Sequence, residues 1–181
     1  MPRTIEITPG FCLLWSLLLL TLPLELILGA MAAAAIHELC HWTVIRIRGG
    51  LVLGLTVGAG GMVMETVPMT PGEELACALA GPVGSISLVL LYKYVPLVSL
   101  CALAQGCFNL LPLYPLDGGR AIYCVLTMLG REAWMKGIEA LVLLLLLILA
   151  MALRMGPGPV IVWTMLAFRK IPCKHSGFGV Q

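Results

Sequence analysis

Apolar residues run almost without interruption from Phe11 to Ile45, with Glu25 and Glu38 as the only acids and no Lys or Arg. Pro23 divides this run into two segments, 11–22 and 24–46. The first is short against the roughly 20 residues that a helical bilayer crossing needs. From Gly49 to Pro68 the pattern changes. Leu51, Leu53, Leu55 and Val57 alternate with Val52, Gly54, Thr56 and Gly58, a period of two that predicts a strand, and Gly60-Gly61 predicts the turn of a hairpin. Lipid-facing backbone cannot stay unpaired, so such a hairpin must lie at the interface or line an enclosed cavity.

Four more apolar runs follow, at 74–91, 95–111, 137–153 and 159–168. Pro71 with Glu73 and Glu74 reads as a helix start, with acids at the positive end of the helix dipole. Ala80-Gly81-Pro82-Val83-Gly84-Ser85 predicts a break and a close-packing site inside the third run. After the fourth comes Asn-Leu-Leu-Pro-Leu-Tyr-Pro-Leu-Asp-Gly-Gly-Arg, Asn109 to Arg120, where Pro112 and Pro115 prevent the helix from continuing. Unwound backbone at membrane depth is tolerated only where it lines a protected site. Ala121 to Trp134 is weakly amphipathic. The pattern predicts an all-α polytopic membrane protein of about six transmembrane helices with a small membrane-associated β-hairpin after the second. The whole of 1–181 reads as a single integral-membrane domain.

Composition agrees. Of the 181 residues, 60% are hydrophobic and 11% charged, the latter about half of the usual share of roughly 25%. A soluble globule of this size could not hide so much apolar surface. The first segment lacks a small-residue cleavage site and runs straight into the second, so it does not read as a removable signal peptide. The seven cysteines form no C-x-x-C pair and sit mostly in apolar runs, as small hydrophobes do. With the N-terminus inside, Arg3, Arg46, Arg48, Arg120, Arg131, Lys136, Arg169, Lys170 and Lys174 lie on the inner side. Lys93 and Arg154 lie on the outer side, which completes the 11 basic residues. This bias places the N-terminus and the ends of the second and fourth spans on the cytoplasmic face.

Within that frame one string carries chemistry. His37-Glu38-Leu39-Cys40-His41 is an H-E-x-x-H pattern. On a helix, residues four apart share a face, so His37 and His41 can offer two imidazoles to one zinc ion. Glu38, beside them, can take a proton from an activated water. Ionisable groups deep in an apolar segment are costly and usually mark function. A catalytic zinc takes three protein ligands. The candidates for the third are Asp117, Glu65, Glu25, His175 and the cysteines. Asp117 is favoured because it lies on broken backbone, on the same side of the membrane, followed by two glycines that allow close approach. A Glu on a later helix, Glu132 or Glu139, is the rival arrangement.

The paired motifs, HELCH and then NLLPLYPLDGGR, resemble the site-2 protease family of intramembrane zinc metalloproteases. The A-G-P-x-G-S segment and the glycine-rich hairpin look like that family too, over essentially the whole chain. The layout of spans is similar to that of its bacterial sporulation-factor subgroup. The resemblance implies one Zn2+ per chain held by His37, His41 and Asp117, with Glu38 as catalytic acid/base. It implies a role for Asn109 in holding substrate or stabilising the developing oxyanion. It also implies a bacterial plasma-membrane location and a membrane-protein substrate, such as a membrane-bound transcription-factor precursor. A regulatory membrane partner is expected, and no nucleic-acid partner. The substrate would be bound as extended chain, by edge pairing with the Leu51–Val57 strand. Cys40 departs from the family, which commonly has Gly there, and its expected role is packing rather than ligation. The alternative function is a catalytically inactive scaffold that binds and sequesters membrane substrates.

Overall fold

The computed structural model describes residues 4–58 and 61–154. The chain begins with a short strand, β1 (Thr4–Ile7), and a helix, α1 (Pro9–Thr21). Helix α2 (Leu24–Ile47) carries the H-E-x-x-H string. Strands β2 (Val52–Gly58) and β3 (Gly61–Thr66) follow, then α3 (Pro71–Ser87), which tightens into a 3-10 turn over Leu88–Leu91. Helices α4 (Pro96–Asn109), α5 (Asp117–Met128) and α6 (Met135–Ala152) complete the described residues. The expected segment at 159–168 lies outside them.

Three stretches are helical, long and apolar enough to cross a membrane: Leu24–Ile47, Pro71–Leu91 and Glu132–Ala152. Helices α1 and α4 are apolar but shorter. Leu20 and Leu90 are 84% and 85% exposed. In water such side chains would be poorly placed, whereas hydrocarbon accommodates them at no cost. The exterior is that of a membrane protein.

The interior is made of small residues. Along α2 the buried positions Gly29, Ala33, His37, His41 and Ile45 recur every fourth residue and form one stripe, as helical geometry requires. The buried residues of α3 are Cys77, Ala78, Gly81, Pro82 and Ser85, and those of α4 are Ser99, Ala102 and Gly106. Buried positions held mostly by Gly, Ala, Ser and Cys let α3 and α4 bring their backbones close, and in lipid van der Waals contact of this kind drives association. A Cβ added at Gly106 would sit 3.1 Å from Ser85 and 3.2 Å from the Pro82 carbonyl. Ser99 of α4 donates to the Leu88 carbonyl at 2.8 Å, which satisfies the main chain where α3 changes pitch.

Helix α3 starts as its sequence suggests. Thr70 and Glu73 form a reciprocal capping box, with Pro71 in the first turn, an arrangement worth about 1 kcal/mol. The expected break at Ala80–Ser85 does not occur, because the helix runs through Pro82. Helix α5 begins at Asp117, ahead of the amphipathic stretch expected from Ala121, and ends at Met128.

The hairpin is present, but it belongs to a three-stranded sheet. β1 pairs parallel with β2, and β2 pairs antiparallel with β3. β2 is therefore the central strand, paired with β1 over Gly54–Val57 and with β3 on its other side. This corrects the expectation that Leu51–Val57 takes up a substrate strand, since among the described residues the open edges of the sheet are those of β1 and β3. The polar-looking N-terminus concealed the third strand. Its Ile5 and Ile7 stand opposite Leu55 and Val57, which face Met64 and Met62. One face of the sheet is thus apolar across all three strands.

Candidate metal centre

The stripe on α2 delivers two imidazoles to the protein interior. His37 is 2% exposed and His41 6%. Their Nε2 atoms lie 3.1 Å apart. Asp117, the first residue of α5, brings its Oδ2 to 3.0 Å from the His37 Nε2 and 3.1 Å from the His41 Nε2. Among the described residues, His37, His41 and Asp117 are the one group of His, Cys, Asp and Glu side chains placed to hold a metal ion together.

The other ring nitrogens are fixed from α3. His41 Nδ1 donates to the Cys77 carbonyl at 2.7 Å. His37 Nδ1 lies 2.8 Å from Ser85 Oγ. With a proton on each Nδ1, both Nε2 lone pairs point at the same spot as the Asp117 carboxylate. Three acceptors converging in a buried place repel one another unless a cation sits among them. Zinc bonds of about 2.0–2.2 Å at tetrahedral angles put ligand atoms about 3.3 Å apart. The observed triangle, 3.0–3.1 Å on each edge, is close to that size. Gly81 leaves the space open, for a Cβ there would collide with the His41 Nε2 and lie 2.6 Å from the His37 Nε2. The donor set and the bare backbone fit a metal ion such as zinc.

Asp117 reaches this place because the chain before it cannot be helical. Pro112 and Pro115 interrupt Leu110–Leu116, and the Tyr114–Pro115 peptide is cis. Gly118 and Gly119 then let α5 start directly on that segment. A Cβ on Gly118 would collide with the Leu110 carbonyl, and one on Gly119 with the backbone of Leu113 and Tyr114. The second carboxylate oxygen, Oδ1, lies 3.8 Å from Arg120, which is itself 3.6 Å from Glu74 on α3.

Asn109, the last residue of α4, places its Nδ2 3.3 Å from the His37 Nε2. Glu38 follows His37 on α2 and is half-buried. Cys40 stays out of the ligand group. Its Sγ packs on Gly84, where a Cβ would collide with it. The remaining candidates are elsewhere. Glu65 is exposed on β3, Glu25 is exposed at the start of α2, and Glu132 is exposed ahead of α6. Glu139 bonds the Tyr114 amide. His175 lies outside the described residues.

No protein-family model matches the chain, and no curated protein matches it. The comparison with solved structures does find a likeness. The site-2 protease from Methanocaldococcus jannaschii superimposes with a TM-score of 0.65 and 23% sequence identity, covering 91% of this chain and 87% of that one. The chain has the fold of a site-2 protease. Within the site-2 protease fold, the Cys77 carbonyl joins the centre with no sequence signal, and Gly81 and Ser85, which the sequence marks as part of a close-packing segment, turn out to touch the imidazoles. Ser85 carried a weak signal, as a hydroxyl in an apolar helix. A backbone carbonyl carries none, because every residue has one.

Proposed function

We propose that the chain is an intramembrane zinc metalloprotease, which hydrolyses peptide bonds in or next to a transmembrane segment of a membrane-bound substrate. The observation that carries this reading is the convergence of His37, His41 and Asp117 on one point facing Gly81, with Glu38 beside it on α2. The site-2 protease fold supports it.

A bound zinc ion would supply Lewis-acid chemistry, polarising the scissile carbonyl and acidifying a water. The protein residues do the rest. The Glu38 carboxylate accepts the proton of the attacking water and returns it to the leaving nitrogen. Asn109 Nδ2 turns to the substrate and donates to the oxygen on which charge develops. The small-residue interior of α2, α3 and α4 holds bulk water away from these groups. A substrate helix buries its carbonyls in hydrogen bonds, so the segment to be cut must be extended. It adds to an outer edge of the sheet, that of β1 or β3.

The orientation that suits this reading has the N-terminus and the site toward the cytoplasm of a bacterial plasma membrane. The substrate class is a membrane protein such as a transcription-factor precursor, with a membrane protein as regulator. The deciding experiment is a Glu38→Gln trap. The variant should retain stoichiometric zinc, lose cleavage by at least about 100-fold and capture uncut membrane proteins identifiable by mass spectrometry. Normal cleavage by the variant would sink the proposal.

A further inference from the structure

Glu139 is the one acid inside α6, whose sequence from Ile138 onward is otherwise Ala, Leu, Val, Ile and Met. An ionisable group in such a helix is costly and needs a reason. Its Oε1 accepts the Tyr114 N–H at 3.0 Å. Tyr114 lies in Leu110–Leu116, the unwound segment that ends at the ligand Asp117.

A full account of that segment's donors shows what the contact does. The Leu110 N–H donates to the Gly106 carbonyl, Leu111 to Phe108, Leu113 to Leu111 and Leu116 to Leu113. Pro112 and Pro115 have no N–H. Tyr114 is left, and it alone among these donors is met by a side chain from another helix. This amide is part-buried, and one fully buried without a partner would cost about 1–3 kcal/mol. The backbone of Leu113 and Tyr114 is also the surface on which Gly119 rests. The position of this peptide therefore sets where α5 begins, and with it the carboxylate of Asp117.

We infer that Glu139 is a positioning residue: it clamps the Tyr114 peptide from α6 and so holds Asp117 in register with His37 and His41. The inference rests on the metal-centre reading above. It gives the rival third ligand a different task, outside the coordination sphere. It also ties α6, whose buried residues are Met135 and Ala150, to the segment that ends at Asp117. Groups that orient a metal ligand from outside typically account for 10- to 100-fold in metal affinity.

The test uses the full chain in detergent with Co2+ as the probe, comparing wild type, Glu139→Gln and Glu139→Leu. Leucine suits an apolar helix, so the fold should persist. Glutamine keeps an acceptor oxygen without the charge. In the metal-free protein the Tyr114 amide should exchange with solvent at least about tenfold faster in Glu139→Leu, with protection regained in Glu139→Gln. The leucine variant should bind Co2+ about 10- to 100-fold more weakly, with an altered visible absorption band, and the glutamine variant should recover most of both. Unchanged Tyr114 exchange, or wild-type Co2+ affinity and spectrum in Glu139→Leu, overturns the clamp while leaving the metal centre standing. A wild-type protein that binds no Co2+ overturns the metal centre, and the ligand-positioning role with it.

Discussion

The backbone of Gly81 on α3 lies directly against the Nε2 of His41 on α2, with no space between them for a methyl group. The position meant for a metal ion is therefore walled by main chain. Gly81→Ala should cost about 1–3 kcal/mol through overpacking, as the imidazoles are pushed aside, and still fold. It should nevertheless lose zinc and all cleavage, which metal analysis of the purified protein would reveal. A Gly81→Ala variant with stoichiometric zinc would show that the ion sits elsewhere.

Ser85 is expected to act on affinity alone. Removing its hydroxyl leaves the His37 Nδ1 without its 2.8 Å partner, so the ring can rotate and change tautomer. Ser85→Ala should weaken zinc binding about 10- to 100-fold, while excess zinc restores turnover. Competition with a chromophoric chelator measures the first effect, and zinc titration of activity the second.

The three candidate ligands come from two helices, α2 and α5, so an ion joining them should stabilise the bundle. Zinc at about 100 times its dissociation constant contributes roughly 2.7 kcal/mol. Chelation should lower the thermal midpoint of the wild type. In Asp117→Ala the midpoint should start low and respond little to zinc or chelator. Equal chelator sensitivity in both proteins would remove Asp117 from the centre.

Cys40 and Gly84 should behave as a packing pair. Gly84→Ala places its Cβ on the Cys40 Sγ, and overpacking of this kind costs about 1–3 kcal/mol. Cys40→Gly should be close to neutral for zinc content, and the double variant should recover most of the stability lost in Gly84→Ala. Thermal midpoints of the four proteins form the cycle that checks this.

What could be read in advance follows from what a pattern can encode. The i, i+4 histidines and the Pro-x-x-Pro-x-Asp-Gly-Gly segment state their geometry locally, so His37, His41 and Asp117 were legible and the structure brings them together. The alternation at Leu51–Val57 announced a strand, yet not its place in the sheet. That depended on Thr4–Ile7, too short to show a period, finding a partner some 50 residues away in sequence. Pro82 was read as a break because proline removes a helical donor. The helix nevertheless continues through it, where small residues let α2 and α4 pack closely against it. Ser85 and Gly81 looked like packing residues, and their link to the imidazoles exists only in three dimensions.

The two imidazoles differ in how they can be inherited. His37 depends on the hydroxyl of one particular residue, so a single codon change at Ser85 can loosen it. His41 is held by the carbonyl of Cys77, which any amino acid at position 77 would supply equally well. Mutation can thus tune one ligand in small steps while the other stays fixed. Lineages of this fold would then drift in any affinity for a metal through position 85 and leave position 77 free to follow the packing between helices.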